Sequence, residues 1–220
     1  PHNSKKIKIN KKICFYHTRL KIIDLSDESN QPMISSDGRF IISYNGELYN
    51  YLEIKKSLEQ KGYKFETNGD TEVFLKGFIE FGKNFFKLIN GIFAVSIFDK
   101  KNDLLYIARD FVGVKPLYYF LNNTSLIFSS ELKAIVQNTQ QLLKLNKEVL
   151  NEYLYYKYVS GKKTLIKNVH KFSPGKLYLF DLRNKNISVK ISNFYKFNET
   201  SHKETFLDTV ENTNTLLQKS

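Results

Sequence analysis

The chain has 220 residues, 41% hydrophobic and 15% aromatic, with no tryptophan and a single cysteine. That supports one large domain, or one plus a fragment, with a sizeable core, and excludes an internal disulfide framework or a cysteine-rich zinc site. The net charge of +12 raises nucleic acid as a partner, but the lysines are scattered or paired (Lys5-Lys6, Lys55-Lys56, Lys162-Lys163), with no block of five or six, so none is expected.

No stretch approaches the roughly 18 apolar residues of a membrane helix. The basic start PHNSKKIKINKK has no apolar run behind it, as a secretory signal requires. A reducing cytoplasm and no membrane partner are expected. In chain order, ICFYHTRLKIIDL (13–25) predicts a strand running into an extended segment. SDESNQPM is a loop. Asp37-Gly38 turns into a strand that ends at YNGELYN, where Asn45-Gly46 predicts a turn because both residues tolerate positive φ. Residues 50–61 predict a helix stopped by Gly62, YKFET a short strand, and EVFLKGFIEF a helix stopped by Gly82. Two apolar runs around Asp99–Asp103, and two more around Asn122-Asn123, predict hairpins. LKAIV and LNKEVLNEYLYYKY predict helices. Turns follow at Pro174-Gly175 and near Asn184, and the last twenty residues predict one more amphipathic helix. The pattern is that of a layered α+β fold with mostly antiparallel sheets.

Four polar clusters sit beside strand ends or turns: His17-Thr18-Arg19, Asn45-Gly46-Glu47, Gly69-Asp70-Thr71 and Arg109-Asp110. Each has an ordinary explanation on its own. Arg19 fits a surface or salt-bridged arginine, and Asn45-Gly46 a turn. Asp70 or Thr71 fits a helix cap. Arg109 fits a partner for Asp110 or Asp99 that holds a hairpin.

Together, HTRLKIIDLS, QPM, YNGELYNY, GDTEV, GIFAVSIFD, ARDFVGVKPLYY and SSELKA stand in an order that resembles the N-terminal glutaminase domain of the glutamine-hydrolysing asparagine synthetases. That is a class II glutamine amidotransferase of the N-terminal-nucleophile hydrolase type. The resemblance runs from Pro1 to about Phe197. It implies a four-layered αββα sandwich over residues 1–197, with 198–220 as a linker and the first helix of an ATP-dependent synthetase domain. It implies L-glutamine as substrate, with Arg19 on its α-carboxylate, Asp70 on its α-ammonium group assisted by Glu47, and Asn45 with the Gly46 N–H as oxyanion hole. No metal site is implied. A guanidinium fork suits a carboxylate, and acyl transfer needs preorganised donors at the developing oxyanion.

The family's nucleophile is a cysteine at the extreme N-terminus, with its own α-amino group as base; here residue 1 is Pro. The resemblance sets Pro1 on the proline of an Arg-Gly-Pro-Asp motif, with His2 where Asp is expected. Cys14, inside a predicted strand, is not expected to replace the nucleophile. The 220 residues as they stand are expected to bind glutamine weakly and hydrolyse none. The intact enzyme is expected to use ATP and Mg²⁺ to amidate L-aspartate, as a possible homodimer. No Ser-Gly-Gly-x-Asp-Ser loop for ATP occurs, so no cofactor is expected in these residues. Two alternatives stay open. One is an amidotransferase with another carboxylate acceptor, the other an inert glutamine-binding or interaction module.

Overall fold

The computed structural model describes residues 3–10, 13–139, 144–195 and 205–219. Pro1 and His2 lie outside them, as does the expected boundary near residue 197. An antiparallel hairpin of β1 (Asn3–Lys8) and β2 (Cys14–Arg19) opens the fold, in the register Lys5↔His17. The sequence predicts β2 but not β1, whose three lysines hide the alternation.

Next come β3 (Met33–Ile34), β4 (Phe40–Leu48), α1 (Tyr51–Gln60) and α2 (Asp70–Phe81), with a 3-10 turn over Gly82–Lys87. The expected strand YKFET is absent. Its Phe65 packs on the core, and the N–H groups of Glu66 and Thr67 donate to the Glu72 carboxylate instead of to a neighbouring strand. β5 (Gly91–Asp99) and β6 (Leu104–Arg109) form the first expected hairpin, β7 (Tyr118–Leu121) and β8 (Leu126–Ser129) the second. Then follow α3 (Leu132–Asn138), α4 (Leu150–Tyr156), β9 (Val169–Lys171), β10 (Lys176–Asp181), β11 (Ser188–Asn193) and α5 (Phe206–Lys219). The helix expected over LNKEVLNEYLYYKY shortens to α4: a 3-10 turn over Lys147–Val149 precedes it, and Lys157, left-handed with φ 63°, ends it.

A six-stranded antiparallel sheet runs in the order β11-β10-β6-β5-β4-β3, and a three-stranded sheet in the order β8-β7-β9. Side-chain alternation sorts the six-stranded sheet's residues between two cores. On one face, Ile42, Tyr44 and Leu48 of β4 meet Ile54 and Leu58 of α1 and Phe74 and Phe78 of α2. Phe74 is fully buried and touches the rings of Tyr44, Phe85, Phe86 and Phe93. On the other face, Ile41, Ala94 and Phe98 pack with Phe15 of β2 and with Leu117, Phe172 and Phe180. A third cluster joins Phe120 and Val169 to Ile135 of α3. The layers are therefore helix, sheet, sheet, helix: the expected αββα sandwich.

Candidate active site

β4 continues straight through Asn45-Gly46. The pairing with β5 runs Tyr44↔Val95, Asn45↔Ala94, Gly46↔Phe93, Glu47↔Ile92 and Leu48↔Gly91. The expected turn is therefore wrong. The φ of Gly46 lies outside the left-handed region, and glycine is needed there for a different reason. A Cβ on Gly46 would sit 2.2 Å from the Ile92 carbonyl oxygen, and one on Gly91 2.3 Å from that of Glu47. The two strands approach too closely for any side chain at either position.

Ladder geometry fixes where the Gly46 N–H points. The Phe93 carbonyl accepts from Asp110 N at 2.8 Å, and Phe93 N donates to Asp110 Oδ2 at 3.3 Å, so the polar groups of Phe93 face away from β4. Gly46↔Phe93 is then a non-hydrogen-bonded pair, and the Gly46 N–H faces the outer edge of β4. β3 covers that edge only at Ile41 and Ile42. Further along it, Tyr44 N donates to Gln31 Oε1 at 2.6 Å and Leu48 N to Asp70 Oδ2 at 3.0 Å. Gly46 lies between these two capped donors.

Asp70 opens α2, where a carboxylate is favoured by the helix dipole, but it does not cap it; the N-cap is Gly69. Its Oδ2 also accepts from the Tyr44 hydroxyl at 3.0 Å. Burial raises the Asp70 carboxyl above its ordinary range, against the bonds from Leu48 and Tyr44, and the neighbouring Glu47 charge adds to the rise. Burial likewise raises the Tyr44 phenol, with Asp70 next in importance. A buried carboxylate beside a second one favours a bound cation.

Asn45 and Glu47 share the opposite face of β4 from Tyr44, and both are exposed. Across the sandwich, His17 Nδ1 lies 2.9 Å from Ser43 Oγ. The next inward residue on β2 is Arg19, and on β4 it is Asn45. Arg19 is buried. It donates to the Ser26 carbonyl at 2.7 Å, to Asn30 Oδ1 at 3.3 Å and to the Asp24 carbonyl. These bonds use three of five guanidinium N–H groups. Arg19 is thus pinned to loop 24–30; it is neither a surface arginine nor, among the described residues, in an ion pair. The Asp24 carboxylate accepts from Ser26 N at 2.7 Å and Asn68 N at 2.8 Å, tying that loop to the entry of α2. Cys14 stands at the far end of β2, exposed and on the face opposite Arg19. Five residues of strand separate the two, about 17 Å.

His17 gives this side of β4 a pH signature. Burial, then the Arg19 charge, push its imidazole from 6.5 down to about 4. The unfolded chain therefore binds the proton more readily between these pH values, and stability falls as pH falls through that window. The expected loss between pH 7 and pH 5 is about 2 kcal/mol. Urea unfolding at both pH values should show it, and His17→Gln should remove most of the difference. An equal loss in both proteins would mean that the imidazole is not held neutral.

Arg109 and Asp110 act on the loop behind β5. Arg109 donates to the carbonyls of Phe172 (3.2 Å), Lys115 and Gly113, not to Asp99, whose carboxylate binds Arg39 instead. Asp110, fully buried, accepts from the N–H groups of Val112, Gly113, Val114 and Lys115 at 2.6–3.2 Å. Both residues brace the loop backbone, and no ion pair joins Arg109 to Asp110 among the described residues, contrary to the expected pairing. Sequence reasoning missed the roles of Gln31 and Tyr44. The QPM motif and the alternation of β4 mark both positions, but neither shows a partner.

A family model described as the glutamine amidotransferase domain matches residues 2–195. The chain belongs to the glutamine amidotransferase domain family. Among its relatives, asparagine synthetase [glutamine-hydrolyzing] 1 of Bacillus subtilis (strain 168) is 38% identical over 73% of this chain and 25% of its own length. Putative asparagine synthetase [glutamine-hydrolyzing] 2 of Methanocaldococcus jannaschii is 37% identical over 78% of this chain and 36% of its own. The chain thus spans only about a quarter to somewhat over a third of the length of these curated relatives. A solved glutamine phosphoribosylpyrophosphate amidotransferase from B. subtilis superposes with a TM-score of 0.58 at 19% identity, covering 84% of this chain and 35% of that one. This likeness bears out the layered α+β sandwich expected from the sequence. Among the described residues, no helix is long and apolar enough to cross a membrane, and no group of three His, Cys, Asp or Glu is placed to hold a metal ion.

Proposed function

We propose that this amidotransferase domain is the glutaminase part of a glutamine-dependent asparagine synthetase. The observation that supports it best is the end of β4: a Gly46 N–H on an open strand edge, exposed Asn45 beside it, and the buried Asp70 carboxylate one hydrogen bond from Leu48. In this reading Asn45 and Gly46 hold the oxyanion formed when the glutamine carboxamide is attacked. Asp70, with Glu47, takes the α-ammonium group, and Arg19 directs its remaining N–H groups to the α-carboxylate. Arg19 also keeps loop 24–30 in place as one wall. Cys14 takes no part. The nucleophile is an N-terminal cysteine, as the resemblance implies, and we place it outside these 220 residues.

The ammonia then amidates L-aspartate activated by ATP with Mg²⁺ in the rest of the protein, which works in the cytoplasm as a homodimer. Residues 198–220 lead into that part. No described residue is assigned to ATP or Mg²⁺.

Glutamine titrated into the 220-residue chain by calorimetry tests the site. Arg19→Ala should weaken binding roughly 10- to 100-fold, the worth of a charge-assisted hydrogen bond. L-glutamine amide, which lacks the α-carboxylate, should bind the native chain as poorly as glutamine binds the variant. If the amide binds the native chain as well as glutamine does, Arg19 has only a structural role and the pocket is misplaced.

A further inference from the structure

Gln31 and Tyr44 belong to neither the nucleophile nor the substrate contacts proposed above, yet both are buried polar residues at the site. Their bonds close on themselves. Tyr44 N donates to Gln31 Oε1 at 2.6 Å, and Gln31 Nε2 donates to Thr71 Oγ1 at 3.2 Å. Thr71 adjoins Asp70 in the first turn of α2, and Asp70 Oδ2 accepts from both the Tyr44 hydroxyl and Leu48 N at 3.0 Å. Gln31, Tyr44, Asp70 and Thr71 are each less than 8% exposed. Water therefore cannot replace a lost partner, and each bond matters more than it would at the surface.

The consequence lies at Gly46. Its outer edge is fastened two residues before, at Tyr44, and two residues after, at Leu48. Both fastenings lead to the N-terminal turn of α2. Glycine is the residue with the most backbone freedom, and a hydrogen-bond donor that must await a developing charge has to be held before the charge appears. We propose that Gln31 is a positioning residue for the Gly46 N–H, acting through this ring of hydrogen bonds. The ring also joins Asp70 to β4, so the group that reads the α-ammonium and the donor that reads the carboxamide are held at one fixed spacing. This rests on the glutaminase reading of Gly46.

The 220-residue chain can test it directly. Labelling with carbonyl-¹³C asparagine and ¹⁵N glycine leaves only the amides of Gly46, Gly69 and Gly91, because these alone follow asparagine. Glutamine added to the native chain should move the Gly46 signal. Gln31→Met should shift that signal in the free protein by several tenths of a ppm and weaken glutamine at least fivefold. Gly69 should stay in place. Gln31→Glu keeps an acceptor for Tyr44 N and should lie nearer the native protein. Thr71→Val breaks only the second link; it should shift Gly46 in the same direction by less, and serves if Gln31→Met does not fold. An unmoved Gly46 signal in both Gln31→Met and Thr71→Val overturns the proposal, whatever glutamine does. Failure of glutamine to move Gly46 in the native chain, with the variant shifts as expected, instead overturns the glutaminase reading and leaves the ring standing.

Discussion

Asp110→Ala is expected to lower the melting temperature by roughly 10 °C or more, from a loss of about 3–5 kcal/mol. The carboxylate is fully buried and takes backbone N–H groups from Phe93 and from Val112, Gly113, Val114 and Lys115. Removing it leaves these donors without their acceptor. Val112 and Val114 are more than half exposed, so their N–H groups can turn to water. Phe93 is buried and cannot, and an unpaired buried N–H alone costs about 1–3 kcal/mol. The loop then loses the register that lets Arg109 bind the carbonyls of Gly113 and Lys115. A domain's whole stability is about 5–15 kcal/mol, so the variant should be marginal at 37 °C. Asp110→Asn keeps an oxygen acceptor and should lose roughly half as much. Scanning calorimetry decides; a shift of less than about 2 °C in the alanine variant would show that this carboxylate is not the anchor of the loop.

The layers were legible because both sheet faces left a record in the sequence. GIFAVSIFD is apolar at nearly every position, and the structure buries both faces of β5. EVFLKGFIEF carries helical spacing, and α2 sets Phe74 and Phe78 on the sheet. The errors arose where a distant backbone decides. Asn45-Gly46 has the composition of a turn, but its glycine answers to Ile92, forty-six positions away. YKFET has strand residues, but Glu72 claims its N–H groups. The site was legible only in part for the same reason. Arg19, Asn45, Glu47 and Asp70 carry charge or amide groups that suggest roles one by one. Gln31 and Tyr44 become meaningful only when the fold closes a hydrogen-bond ring through residues up to 40 positions apart.

Asn45→Ala is the decisive substitution for the chemistry. It requires a glutaminase-competent form, made by joining a cysteine-initiated N-terminal segment of the family ahead of residue 1. In that protein kcat should fall roughly 10²- to 10³-fold, the usual effect of removing one oxyanion donor, while KM changes little. The side chain is suited to a clean test. Asn45 is exposed, points away from the core that holds Tyr44, and pairs with Ala94 through its backbone, which alanine preserves. Stability should therefore move by less than about 0.5 kcal/mol. Gly46→Ala cannot serve in its place, because its new Cβ would strike the Ile92 carbonyl and displace both strands. Loss of the Gly46 donor and loss of the fold would then be indistinguishable. Steady-state release of glutamate from glutamine gives the answer. A native kcat in the Asn45 variant would move the oxyanion hole elsewhere, and a raised KM with native kcat would make Asn45 a binding residue only.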